Sequence, residues 1–246
     1  MRCCILGAVM LVLACSASAD TKPSDPIKLS LSWDMTTDVE GRVTRLDAAK
    51  NDRADKVPQI RARLEQVVRE WKFIPGTVNG EPAPSVTRLN LAISVLPLDA
   101  DTVRLRIDSA RTGGYAAKMK LPHYPSSAIK EHATGMVVLR VDYDANGKVT
   151  TVVPDPDAPK ADRFLAEASI AAVKQWTFVP ELVGGHGVPG SMHMPLCFSL
   201  SSYPGPVKVP ACGWTPPGES VPLGDGESLA INPVVKLTTE VEGRTL

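Results

Sequence analysis

The chain has 246 residues, and its 27 lysines and arginines balance 27 aspartates and glutamates, so no bulk charge draws it towards nucleic acid or anionic lipid. An apolar content of 43% is enough for a buried core in one or two domains and excludes a disordered chain. The 22 prolines are spread through turns and the C-terminal part, so they build no rigid proline spacer.

Residues 1–19 read as a secretion signal. Arg2 is a minimal positive region, Ile5 to Ala14 a short apolar stretch, and Ala17-Ser18-Ala19 a small-x-small cleavage site before Asp20. The apolar run is too short to span a bilayer comfortably. A second reading takes Val12-Leu13-Ala14-Cys15 as a lipoprotein box, with Cys15 the lipidated first residue of a membrane-anchored chain, and an uncleaved anchor is the third. All three predict export. Cys3, Cys4 and Cys15 fall in this leader, which leaves Cys197 and Cys212 for the folded part. In an oxidising compartment they predict one disulfide, with two buried free thiols as the alternative.

Beyond the leader, Ile27, Leu29, Leu31 and Trp33 alternate with polar residues as in a strand; a loose turn at Asp38 to Gly41 follows, and Val43 to Leu46 returns. Pro58 opens a helix in which Ile60, Leu64, Val67, Val68 and Trp71 form an apolar stripe opposite Arg61, Arg63, Glu65 and Arg69. The helix is expected to close on Trp71-Lys72-Phe73-Ile74-Pro75. A strand at Val86 to Leu96 comes next, then an added strand at Val103 to Ile107 and a boundary at Gly113-Gly114.

The same order then recurs. Met136 to Asp142 has strand periodicity, Asp144-Ala145-Asn146-Gly147 turns the chain, and Lys148 to Val153 returns. After the break at Pro154 to Pro159, Phe164, Leu165, Ala168, Ala172 and Trp176 lie on one helical face. Trp176-Thr177-Phe178-Val179-Pro180 closes it, and Met192, Met194, Leu196 and Phe198 alternate in a last strand. Pro195 marks this as an edge strand or a bulged one. Gly41-Arg42-Val43-Thr44 answers Gly147-Lys148-Val149-Thr150, and Val68-Arg69-Glu70 answers Val173-Lys174-Gln175, at a nearly constant offset. The expected fold is therefore α+β, with two tandem ββαβ units, each a small mainly antiparallel sheet packed by one helix. The units cover 20–112 and 113–203, and a proline-rich tail covers 204–246. Five prolines at 204, 206, 210, 216 and 217 keep the tail loop-like to Gly226, while Leu229 to Val241 reads as either an added strand or a loose end.

Tyr124-Pro125, Gly135 to Asp142, Asn146-Gly147-Lys148-Val149, Ala172 to Pro180 and Met194-Pro195-Leu196-Cys197-Phe198 together resemble the TonB C-terminal domain, over about 121–202. Residues 27–97 resemble it more loosely, as a degenerate copy without the Tyr-Pro opening. The resemblance implies a periplasmic domain that takes a peptide of an envelope protein as an extra strand. Transducers of this family keep a membrane helix and a long charged proline-rich spacer, and this chain reads as having neither, which argues against force transmission. The implied partner site is an exposed strand edge at Met192, His193, Met194, Leu196, Phe198 and Ser199, open to an envelope protein or a second copy. A structural or cell-wall-associated envelope protein, with contacts made by the tail, is the alternative.

The remaining motifs favour structure over chemistry. Asp142-x-Asp144-x-Asn146-Gly147 copies the start of a calcium loop, but the twelfth position is Val153 and strands flank it, so it reads as a hairpin turn. His123, His132, His186 and His193 lack zinc-ligand spacing. His193 and Cys197 share a predicted strand face, and an enzyme using them requires a free thiol. No nucleophile elbow or phosphate loop occurs. The expectation is a binding module with no enzyme activity, cofactor or metal.

Overall fold

The computed structural model describes residues 26–49, 57–98, 102–200 and 212–246. The expected leader with Cys15, and residues 204–211 of the tail, lie outside them.

Strand β1 (Ile27–Thr37) buries Leu31, Trp33 and Met35 and turns Ser30, Ser32 and Asp34 the other way, the period-2 signature of a half-covered strand. In the following turn Asp38 accepts the backbone N–H groups of Arg42 at 2.8 Å and Glu40 at 3.0 Å. These bonds, that of Arg42 first, hold its carboxyl below the ordinary value. Strand β2 (Val43–Ala48) returns along β1. Helix α1 (Pro58–Val68) starts on a proline whose missing N–H costs nothing there. It stops three residues before Trp71, so the tryptophan stands in the turn after the helix and does not close it. Strand β3 (Phe73–Ile74) and the hairpin β4 (Thr77–Val78) and β5 (Glu81–Pro82) lead into β6 (Ser85–Pro97). The added strand is longer than expected: β7 (Val103–Gly113) pairs with β6 from Pro97↔Val103 to Arg88↔Gly113, with one bulge at Ala92/Ile93.

Strand β8 (Tyr115–Lys118) and a short helix α2 (Ser126–Lys130), which periodicity did not predict, connect to β9 (Gly135–Tyr143) and β10 (Val149–Pro154). Helix α3 (Arg163–Val173) is capped by Asp162, whose carboxylate accepts from Phe164 N–H at 2.9 Å and Leu165 N–H at 3.1 Å. It too ends three residues before its tryptophan, Trp176. Then come β11 (Thr177–Val179), β12 (Leu182–Val183), β13 (His186–Gly187) and β14 (Gly190–Phe198). In place of one strand over Leu229 to Val241 the tail forms β15 (Leu229–Ala230) and β16 (Lys236–Leu237). Pro233, which cannot donate to a ladder, lies between them.

The architecture is α+β and mostly antiparallel. One sheet runs β2-β1-β6, with both β7 and the β12–β13 hairpin on the far side of β6; the other runs β10-β9-β14-β15. The first core packs Trp33, Leu89, Leu91 and Ile93 against Leu64 and Trp71, and the tail contributes Val235 and Val241 to it. The second packs Leu139, Val141, Met192 and Met194 against Leu165 and Trp176. Burying each large apolar side chain stabilises the fold by about 1.5–3 kcal/mol.

Candidate functional site

The strand period sorts the residues of β14 into two sets. Met192, Met194, Leu196 and Phe198 are buried in the core beneath α3, and Ser199 lies one residue beyond the strand, exposed. Pro195 makes no bulge, since the register with β9 is unbroken from Gly190↔Tyr143 to Phe198↔Gly135. Its missing N–H falls on the side away from β9, where no ladder partner is lost.

That outer edge, expected to be exposed, is filled by the chain's own tail. Ile231 N–H donates to Ser191 O at 2.9 Å, and Leu229 and Ala230 pair with His193 and Met192. Gly226 N–H donates to Pro195 O at 3.0 Å, and Cys197 N–H donates to the Asp225 carboxylate at 2.8 Å. The tail also covers the face of this sheet opposite α3, where Trp214, Leu223 and Leu229 bury against Val138. Cys197 and Cys212 form a disulfide, with Cα atoms 5.6 Å apart and a sequence separation of 15.

His193 and Cys197 do not form a nucleophile and base pair. The sulfur is bonded to Cys212, and His193 Nδ1 lies 2.5 Å from Asp155 Oδ2, with Trp214 packed on the ring at 5.1 Å between centroids. The calcium-like loop is a hairpin turn: Asp144 accepts from Asn146 N–H and Lys148 N–H at 2.9 Å each, and Asp142 accepts the Ser191 hydroxyl at 2.5 Å. Among the described residues no group of three His, Cys, Asp or Glu side chains is placed to hold a metal ion. None of the helices described is long and apolar enough to cross a membrane.

Tyr124 of the Tyr-Pro pair donates its hydroxyl to Ala133 O at 2.5 Å and packs edge-on to Phe198. Burial, then the charge of Asp162, raises its pKa. Periodicity gave no sign of Glu181, a buried carboxylate that accepts from Thr87 Oγ at 2.7 Å, Val234 N–H at 2.6 Å and Val235 N–H at 3.2 Å. Its sequence signal is a difference between the two Trp-x-Phe-x-Pro segments, since Glu181 follows Pro180 where Gly76 follows Pro75. A cleft of about 1110 Å³ lies between the polar face of the first sheet, at Ser30, Ser32 and Asn90, and the tail at Pro222 and Gly224. Two cations on its wall are committed, Arg88 to Asp34 at 2.9 Å and Arg111 to Glu219 at 2.8 Å.

An antiparallel sheet with one long helix on one face, ending in a strand whose edge holds the chain's own extended segment, defines a small α+β domain. Residues 120–200 match the family model of the Gram-negative bacterial TonB protein C-terminal domain, and this part of the chain is a TonB C-terminal domain. It is 35% identical over 83 residues to Protein TonB of two strains of Xanthomonas campestris pv. campestris, covering 34% of this chain and 36% of that protein. It is 31% identical over 80 residues to Protein tonB2 of Pseudomonas aeruginosa, covering 32% and 29%. The chain thus spans about a third of the length of these curated relatives. No solved structure matches it.

Proposed function

We propose that the chain is a periplasmic protein-interaction module that receives an extended segment of an envelope protein by strand addition on the outer edge of β14, and that it catalyses no reaction. The observation that carries this reading is that the same edge takes residues 225–231 as added backbone, with Leu229 and Ala230 in antiparallel register. Strand addition gains affinity from main-chain bonds and specificity from alternate side chains. The expected leader supports export, either as a soluble protein or as a lipoprotein on Cys15.

The first unit is proposed to be a degenerate copy. In support, Gly41 O accepts Phe73 N–H at 3.0 Å much as Gly147 O accepts Phe178 N–H at 2.8 Å, and α1 and α3 are each 11 residues long. The strand corresponding to β14 is β6, whose edge is taken by β7 through its own hairpin. Binding is therefore assigned to the second unit.

The tail reading keeps one specific observation: the tail is bonded to strands of both halves of the chain, through β15 to β14 and β16 to β3. Site-specific photocrosslinking in cells separates the two. A crosslinker at Ser199, beside the edge, captures an envelope protein, while one at Thr151, on the opposite edge strand, does not. Ser199→Pro then weakens capture. Equal capture at both positions, or capture only from the tail, rules against strand addition.

A further inference from the structure

The tail occupies the β14 edge from Ser191 to Cys197 but bonds to its backbone at few points. On that edge the Ser191 carbonyl, the Pro195 carbonyl and the Cys197 N–H are all bonded to the tail, and His193 is paired with Leu229. A second strand cannot add there while residues 225–231 remain. The hold itself is a two-residue strand, one carboxylate, single backbone bonds on either side and one buried side chain, Leu229. Asp225, Gly226 and Glu227 are exposed. The contrast is with β7, which pairs along almost all of β6. Beyond this light segment the tail is firmly fixed, by the disulfide at Cys212 before it and by Val235 and Val241 in the first core after it.

We infer that residues 225–231 are a resident pseudo-ligand, an autoinhibitory strand that an incoming segment of matching chemistry displaces while the rest of the tail stays anchored. The inference rests on the strand-addition reading above. The tail specifies the incoming chemistry: an antiparallel extended segment with a carboxylate opposite Cys197, a free backbone N–H opposite Pro195, and an apolar residue opposite His193. Leu229, in that last position, is buried with Trp214 and Val138. Being tethered at both ends, the resident segment competes at a high effective concentration. The apparent affinity for a free segment is then lowered by the fraction of molecules with the edge open.

The probe is a fluorescent synthetic peptide of residues 223–233, titrated into the full chain and into a full-chain Asp225→Ala/Ile231→Pro variant. The two substitutions remove the bonds to Cys197 and Ser191 and leave the buried side chains of the tail in place. The variant is expected to bind the peptide at least about tenfold more tightly than the parent, the consequence of two lost bonds. A peptide carrying Leu229→Asp is expected to bind neither. Hydrogen exchange on the unsubstituted chain is the second readout and does not depend on the variant folding. Saturating peptide strips protection from the chain's own Ile231 and Gly226 N–H groups, while Cys197 N–H keeps it because the peptide's carboxylate replaces that of Asp225. Equal affinity of parent and variant, if both melt cooperatively, overturns the inference. So does saturating peptide that leaves Ile231 and Gly226 protected. If an envelope protein crosslinks at Ser199 but the peptide displaces nothing, the tail is not a stand-in for the ligand and the inference falls, while a partner contact at this end of the strand stands. If the peptide displaces the tail but nothing crosslinks, the converse holds.

Discussion

The Thr87 hydroxyl donates to Glu181 Oε1 at 2.7 Å, beside the pairing of β12 with β6 in the first sheet and between residues 94 apart in sequence. The chain of bonds runs further, because Gly113 N–H donates to Thr87 Oγ at 2.9 Å and Glu181 also accepts Val234 and Val235 N–H. One buried carboxylate therefore fixes β6, the end of β7 and the tail at once. Bonds to charged acceptors contribute about 1.5–3 kcal/mol each, and a donor left buried without a partner costs a similar amount. Glu181→Gln is expected to lower stability by about 2 kcal/mol, and Glu181→Ala by more. A double-mutant cycle with Thr87→Val, read from urea midpoints, should give a coupling of about 1–2 kcal/mol. Additive effects would show that the two groups do not act together.

Gly41 and Gly147 hold corresponding places in two hairpins, with φ of +73° and +77°. A Cβ at Gly41 would overlap the carbonyl oxygen of Phe73, and one at Gly147 that of Phe178. Both overlaps are with backbone, which cannot move aside as a side-chain end can. Each Gly→Ala change is expected to cost well over the roughly 1–2 kcal/mol of the left-handed conformation alone. Gly80 is the control: its φ is +86° but nothing lies within 4 Å of an added Cβ, so Gly80→Ala should cost only about 1–2 kcal/mol. Thermal melts of the three variants test this, and equal losses would refute the backbone overlap.

What could be read in the sequence follows from the range of each signal. The β1 and β9 strands, their Asp-led turns and the faces of α1 and α3 are set by periods and turn residues within a few positions, and they were legible. Helix ends were less so, because Trp71 and Trp176 continue the apolar stripe although the backbone has already turned. The fate of the tail was not legible. A two-residue strand such as β15 has no period, and its position depends on Ser191 and Pro195 far away in sequence. The closing of the candidate edge was missed for that reason, whereas a count of cysteines left Cys197 and Cys212 either paired or as two free thiols, and the structure pairs them.

The disulfide ties the start of the described tail to the end of β14. A closed loop of about 15 residues corresponds to roughly 3 kcal/mol from the restricted unfolded chain. Cys197→Ser/Cys212→Ser is expected to lose stability of that order and to speed hydrogen exchange at Ile231 and Gly226. Thiol labelling of the native protein should detect neither cysteine before reduction. A labelled Cys197 would return the two-free-thiol reading.

Tyr143 stacks on Phe178, with ring centroids 5.0 Å apart, and burial first and the charge of Glu181 second push its pKa up to about 12. In the unfolded chain the phenol ionises near its ordinary value of about 10. The folded pKa is the higher one, so between these values the folded state keeps a proton that the unfolded state has released. The contribution to stability is then fully present below about pH 10 and is lost as pH rises towards about 12. Tyr143→Phe keeps the stacked ring and removes the ionisation. Its unfolding free energy, measured in urea across the alkaline range, should fall less steeply than that of the parent, and one slow tyrosinate transition near 12 should vanish from the ultraviolet titration. If both proteins show the same alkaline slope, the phenol of Tyr143 is not the group whose burial opposes ionisation.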